Sequence, residues 1–163
     1  MLAACAKADR GTAEAIVAVH PDLVVSLRPE EMRLIADKAQ DSNTAAVALM
    51  LDVGFDQRVA GPDHGDALHW AAFHGNTEMV RMLLRRDPPI GVGDSRYHAT
   101  PLGWCLYGAV EGWGKDRGGD YPTTVRLLLD SGETFEPSIL PTGRDDVDAA
   151  LRAHLSRPPA AST

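Results

Sequence analysis

Cysteine is nearly missing from the 163-residue chain: Cys5 and Cys105 are the only two, far apart and each in a small apolar setting. A disulfide scaffold needs more than that. The reading is two reduced thiols packed as small hydrophobes in a cytosolic protein, with a single disulfide as the alternative. Long apolar runs are missing as well. No stretch approaches the length of a membrane span, and no charged-then-apolar leader opens the chain, so a cytoplasmic protein is expected. Basic residues are in deficit, 16 against 23 acidic, for a net charge of −7. That excludes a sequence-independent grip on nucleic acid or anionic membrane, which needs a basic face. An apolar content of 44% with 24% charged residues is that of a folded globular domain with a sizeable core.

What is present is most legible in "DALHWAAFHGNTEMVRMLL", residues 66–84. Asp66 is a good N-cap, and Leu68, Ala71 and Ala72 follow it at helical spacing. Gly75 stops that helix and Asn76 can cap the next. There Met79, Val80, Leu83 and Leu84 form an apolar stripe. Two helices joined by so tight a turn must lie antiparallel. Neither is stable alone in water at this length, so the pair predicts similar neighbours on both sides.

The neighbours are there. Thirty-three residues upstream, Arg33 opens "RLIADKAQDSNTAAVALMLDVG", where Ile35, Ala39, Val47, Met50 and Leu51 match Leu68, Ala72, Val80, Leu83 and Leu84. Thirty-four residues downstream, Thr100 opens "TPLGWCLYG", with Pro101 suited to the first helical position, and the unit closes in "TVRLLLDSG". Gly54 and Gly132 stand where a left-handed helix end falls. A weaker copy, "LAACAKADRGTAEAIVAVHPDLV", opens the chain with Gly11 read as its turn between helices.

A period of about 33 residues with "DALHWAAFHGN" and "TPLGW" resembles the ankyrin repeat, whose consensus opens Thr-Pro-Leu-His-x-Ala and turns on a glycine. The enlarged fourth unit resembles ankyrin repeats common in bacterial proteins. The resemblance covers residues 2–136. It implies an all-α solenoid of stacked antiparallel helix pairs with projecting β-turn or hairpin loops. It also implies the family's usual task, binding other proteins across the concave face of loop tips and first helices. The units are read as 2–32, 33–65, 66–99 and 100–136, within an array at 1–136. A capping segment with a short helix is read at 137–155, and a disordered tail at 156–163.

The departures from the pattern carry information. Asp66 replaces the family's Thr but can still cap. Gly103 replaces the family's His, at about 1 kcal/mol for glycine inside a helix. Asp87-Pro88-Pro89 ends the third unit where a cap glycine is expected, and the residue before proline is pushed from helical geometry. Met1 lies almost inside the first helix, which fits either a fragment of a longer protein or a minimal cap. The largest departure is an insertion at 107–121. Arg33 to Val47 and Asp66 to Val80 each span 14 positions, but Thr100 to Val125 spans 25. About eleven residues are added. Gly108, Gly112, Gly114, Gly118 and Gly119 are read as unable to sustain regular structure there. Two readings of the segment stand: its aromatics Tyr107, Trp113 and Tyr121 fold back onto the last helices, or it is a binding element. "GWGKDRGGD" lacks phosphate-loop spacing and follows no strand.

Past Gly132, Pro137 and Pro141 mark an extended link. "RDDVDAALRAHL" then reads as a helix with Val147, Leu151 and Leu155 aligned and Asp145, Asp146 and Asp148 in its first turn, where the helix dipole favours them.

No serine sits in an elbow motif and Cys105 falls on a packed face, so no catalytic residue, no enzyme activity and no cofactor are expected. His69 reads as a structural hydrogen-bonder. His64, His74 and His98 converge by stacking geometry, which makes a zinc or small-ligand site conceivable, though no tight His spacing supports it. The resemblance places partner binding on variable positions. These are Gln40 and Asp41; Pro62, Asp63, His64, Phe73 and His74; Arg96, Tyr97, His98 and Tyr107; and Trp113 in the insertion. Exposed aromatics flanked by polar groups are what interface centres are made of. The expected protein is a monomeric interaction module with an unidentified protein partner. The alternatives are a metal- or small-ligand-binding protein, or a scaffold fragment of a larger regulatory protein.

Overall fold

One turn, used three times, sets the architecture of the chain, seen here in a computed structural model that describes residues 1–113 and 118–157. At Ala8, Ser42 and Gly75 the backbone takes φ of 55°, 56° and 61°. The next residue in each case is an Asp or Asn whose side chain accepts from an N–H three residues on: Asp9 from Thr12, Asn43 from Ala46, Asn76 from Met79, all at 3.0–3.1 Å. Each such cap stabilises its helix by about 1 kcal/mol. Asp120 caps Thr123 in the same way at 3.0 Å.

These turns separate α1 (Leu2–Ala6) from α2 (Arg10–Val19), α4 (Leu34–Gln40) from α5 (Thr44–Asp52), and α6 (Ala67–Phe73) from α7 (Thr77–Leu84). A single turn of helix, α3 (Pro29–Met32), leads into α4. The last units are α8 (Pro101–Val110), α9 (Tyr121–Asp130) and α10 (Asp145–Leu155). Among the described residues there are no strands, and the fold is all-α. The loops between units close as turns instead, with Gly61 N–H donating to Gly65 O at 2.9 Å and Asp94 N–H to Ala99 O at 3.0 Å.

The helices stack in two rows. In one, α6 lies between α4 and α8; in the other, α7 lies between α5 and α9. Ile35, Ala39, Leu68, Ala71, Ala72, Leu102 and Cys105 fill the first row, and Val47, Met50, Met79, Val80, Leu83, Val125 and Leu128 the second, all buried. The apolar stripes found by spacing are therefore the faces that meet. Polar links join the same rows: Asn76 Nδ2 donates to Ser42 Oγ and to Thr44 Oγ1, each at 3.0 Å. His69 is buried at the start of α6, with Nδ1 2.8 Å from Asp66 Oδ1 and Nε2 3.2 Å from Ala99 O. Asp66 accepts from the N–H groups of Leu68 and His69 as well, so Asp in place of Thr keeps the cap.

Three readings of the sequence need correction, at Gly11, Gly108 and Leu155. The first inter-helix turn lies at Ala8, not Gly11, which is exposed within α2. Asp9 starts the helix as soon as it can cap it. As expected of the residue before Pro88, Asp87 leaves helical geometry at the end of α7; its φ is 50°, positive like those of Gly54 (104°) and Gly132 (106°) at the ends of the neighbouring units. Gly108 does not break α8; it lies inside it, because a Cβ there would stand 2.1 Å from Phe73 O, and only glycine lets the two backbones approach so closely. Leu155 is 49% exposed, leaving Val147, Ala150 and Leu151 as the buried face of α10 on α9.

The acidic first turn of α10 has particular partners. Asp148 accepts from Thr142 N–H and Oγ1 at 2.8 and 2.6 Å, and Asp146 pairs with Arg144, whose guanidinium lies 4.9 Å from the Tyr121 ring centre. At the other end of α8, Glu133 is buried with its carboxylate 3.1 and 3.2 Å from Leu102 N–H, satisfying a helix-terminal donor from the neighbouring chain segment. Burial pushes its pKa up against those hydrogen bonds.

Candidate functional site

Asp94 builds the loop that presents Tyr97. Its side chain is almost wholly buried and accepts from the N–H groups of Arg96 (2.8 Å), Tyr97 (2.6 Å) and Ala99 (3.2 Å), and from Trp104 Nε1 (2.9 Å). Burial alone would raise its pKa. The hydrogen bonds, led by that of Tyr97, outweigh burial and hold the carboxyl below the usual carboxylate range. The loop is tied to the one before it: Ser95 Oγ lies 3.0 Å from His64 Nδ1, and Arg96 faces Asp63 at 3.5 Å. Arg96 also lies over the Tyr97 ring, 5.1 Å from its centre.

Between these loops and the end of α8 runs an aromatic groove of about 480 Å³. Its floor is Trp70, Phe73 and Trp104, all buried. Trp70 and Trp104 meet edge to face at 4.9 Å, and Phe73 lies 5.6 Å from Trp70 and 6.2 Å from Trp104. Such pairs add about 0.5–1.5 kcal/mol each beyond their buried area. The walls are Tyr97, Tyr107 and Trp113, each more than half exposed at 56%, 59% and 56%. Gly103 keeps the groove open, since it carries no side chain where the matching position of the previous unit holds His69. The indole N–H of Trp70 is buried with no acceptor among the described residues.

The insertion folds back. Tyr121 Oη donates to Phe73 O at 3.1 Å, Asp120 N–H donates to Gly75 O at 3.0 Å, and Gly119 packs on the carbonyl of His74. Trp113 lies 5.2 Å from both Phe73 and His74, ring centre to ring centre. The described part of the segment therefore folds back onto the preceding repeat and leaves the Trp113 indole half open. Gly114 to Arg117, part of the same reading, lie outside the described residues, as do residues 158–163 of the expected tail.

Phe73 and His74, expected on the open face, are buried at 4% and 8% exposure. The cause is α8 and the insertion crossing the end of α6, with His74 Nε2 2.7 Å from Gln40 O. Asp63, Phe73, Tyr97, Tyr107 and Trp113 come together in the groove, while Gln40, Asp41 and His74 line an adjoining polar cleft that Trp113 shares. Pro62, His64, Arg96 and His98 stand in the flanking loops. The convergence of His64, His74 and His98 is not found. Among the described residues no three His, Cys, Asp or Glu side chains are placed to hold a metal ion. Sequence reading missed Trp70, Trp104 and Asp94. The two tryptophans stand 34 positions apart, the repeat interval, and that recurrence was the available signal. Asp94 offered none, because three of its four donors are backbone groups of the loop.

Stacked helix pairs joined by short turns define an all-α repeat solenoid. A scan against protein-family models matches residues 66–94 to the family described as Ankyrin repeat, which supports an ankyrin repeat protein. No curated protein matches it. Ankyrin repeats are in general protein–protein interaction modules, a fold that is not enzymatic. Among the described residues no helix is long and apolar enough to cross a membrane.

Proposed function

We propose that this chain is a cytoplasmic, monomeric interaction module that holds a segment of a protein partner in the aromatic groove. The observation that carries the reading is the exposure of Tyr97, Tyr107 and Trp113 around a floor of buried rings. Leaving three large rings half in water forfeits apolar burial that a partner would restore, at roughly 25 cal/mol per Å². Tyr and Trp are also the residues that dominate interface energetics. Rigid support on two sides, from Asp94 under Tyr97 and from Phe73 under Trp113, limits the ordering cost of binding. Gln40, Asp41, His64 and Arg96 would then serve as a polar rim, with Pro62 beside them.

Affinity capture from cell lysate tests it. Wild type is compared with a triple variant, Tyr97→Glu, Tyr107→Glu and Trp113→Glu, whose fold is checked by circular dichroism. Loss of a captured protein in the folded variant supports the groove. Retention of the same protein refutes it, because three carboxylates in an apolar groove would each cost a bound segment severely.

A further inference from the structure

Two tryptophans floor the groove, and only one has its indole N–H satisfied. Trp104 Nε1 donates at 2.9 Å to Asp94, ten positions before it; the residue in that place before Trp70 is Ala60, whose side chain accepts nothing. Trp70 is 2% exposed, its N–H is shut off from water, and no acceptor meets it among the described residues. A buried donor left in that state is costly and uncommon in folded proteins. The floor itself cannot help, because two indoles and a phenyl contain no acceptor. Carbonyls bordering the groove are engaged elsewhere. Ala99 O takes Asp94 N–H at 3.0 Å and the His69 ring at 3.2 Å, and Phe73 O takes Tyr121 Oη at 3.1 Å. Asp63, in the lining of the groove, faces Arg96 at 3.5 Å. The floor has a hydrogen to give and nothing to receive one.

Resting on the reading of the groove as a partner site, we infer that the partner enters as an extended, proline-containing segment whose X–Pro carbonyl accepts from Trp70 Nε1. Hydrogen-bond matching selects this occupant over the other backbone forms. A β-strand would lay its N–H groups over a floor that cannot accept them, and among the described residues there is no strand for it to pair with. An α-helix satisfies its N–H groups internally, but it uses up its carbonyls in doing so and leaves Trp70 unmet. A polyproline II segment keeps its carbonyls free, and at each proline it has no N–H to bury. Aromatic-lined grooves suit such segments because ring faces pack against pyrrolidine rings. Tyr97, Tyr107 and Trp113 supply the faces. Standing half in water, these walls are free to spread and admit the carbonyl to the N–H beneath.

The test uses the full chain and three pools of short fluorescein-labelled peptides, read by anisotropy. The first pool carries a central Leu-Pro-Pro. In the second both prolines are alanine. In the third the Leu–Pro amide is an alkene isostere, which keeps the shape and lacks the oxygen. The proline pool is expected to bind about tenfold tighter than either of the others, the effect of one hydrogen bond to a donor unmet before binding. In ¹⁵N-labelled protein the Trp70 indole resonance, assigned by its loss in Trp70→Phe, should shift downfield on saturation with the proline peptides. Trp70→Phe, checked for fold by circular dichroism, keeps an aromatic floor without the N–H and should bind the carbonyl and alkene pools equally. Equal binding by wild type of proline and alanine, or of carbonyl and alkene, overturns the inference. So does an unmoved Trp70 resonance, and so does failure of wild type to bind the proline pool, which leaves the groove itself to be judged by lysate capture. The groove reading fails separately. If proline peptides still bind Tyr107→Glu with Trp113→Glu, they sit elsewhere, whatever carbonyl they present.

Discussion

Replacing Asp94 by alanine removes one acceptor from four donors at once. Three are backbone N–H groups of a single loop and the fourth is the indole of Trp104 in the groove floor. A hydrogen bond to a charged group contributes about 1.5–3 kcal/mol. The four cannot be summed, because the loop would open and let water reach its N–H groups. Trp104 is packed between Trp70 and Phe73 and cannot follow, so at least one buried donor stays unmet. A loss of about 3–4 kcal/mol follows for Asp94→Ala, within the range for breaking a buried network. Asp94→Asn keeps the shape but turns an amide NH₂ toward one donor, for about 1–2 kcal/mol. For a chain of this size the alanine variant should melt roughly 6–16 °C lower.

Acid adds a second check on the same group. The folded carboxyl titrates below its unfolded value, so its contribution is complete above the unfolded pKa of about 3.9 and drains away as pH falls through the folded pKa. The gap between wild type and Asp94→Asn, measured by urea unfolding followed by circular dichroism, should be full at neutral pH and narrow below about pH 4. An alanine variant that loses less than about 1 kcal/mol, or a gap to Asn unchanged through acid, would refute the assignment of Asp94 as the loop's organiser.

Two further substitutions or treatments separate packing from chemistry. Gly108→Ala would drive a methyl into Phe73 O and force α8 off α6, with an expected loss of about 2–4 kcal/mol in thermal melts; Gly103→Ala in the same helix is the control, since its Cβ would meet Ala99 Cβ at 3.4 Å and Thr100 Oγ1 at 3.9 Å, both ordinary contacts, and should be neutral or mildly stabilising. Burial pushes the thiol pKa of Cys5 up and that of Cys105 further, where the charge of Glu133 adds to it, so native protein should resist thiolate-specific reagents at neutral pH. Both should react once the chain is unfolded in denaturant, and rapid native reaction of Cys105 would contradict its packing.

Much of the architecture was legible because it is local. Asn76 caps within three residues, Thr100 and Pro101 start α8 within the same turn, and the stripe Met79, Val80, Leu83 needs only helical spacing to be seen. The repeat interval then extends one helix pair to its neighbours by simple comparison. The turn at Ala8 was misplaced to Gly11 because glycine is the usual holder of a left-handed φ, while here Asp9's cap dictates the position and alanine accepts the strain.

The functional surface was legible only in outline, for the opposite reason. Spacing puts Phe73 and His74 at the outer end of α6, where the pattern leaves them open. What covers them is α8 and an insertion whose course depends on Gly108 meeting Phe73 O and Tyr121 reaching the same carbonyl, contacts 35 and 48 positions apart. Tyr97, Tyr107 and Trp113 could be named from sequence as aromatic and polar-flanked, but whether they share one groove depends on how adjacent repeats stack. The sequence by itself determined the helix pairs, their caps and their period, since each rests on interactions between residues three or four apart. Which rings are buried, which remain open, and that the open ones surround one space were decided by tertiary packing, because burial is a property of what another segment brings to the same place.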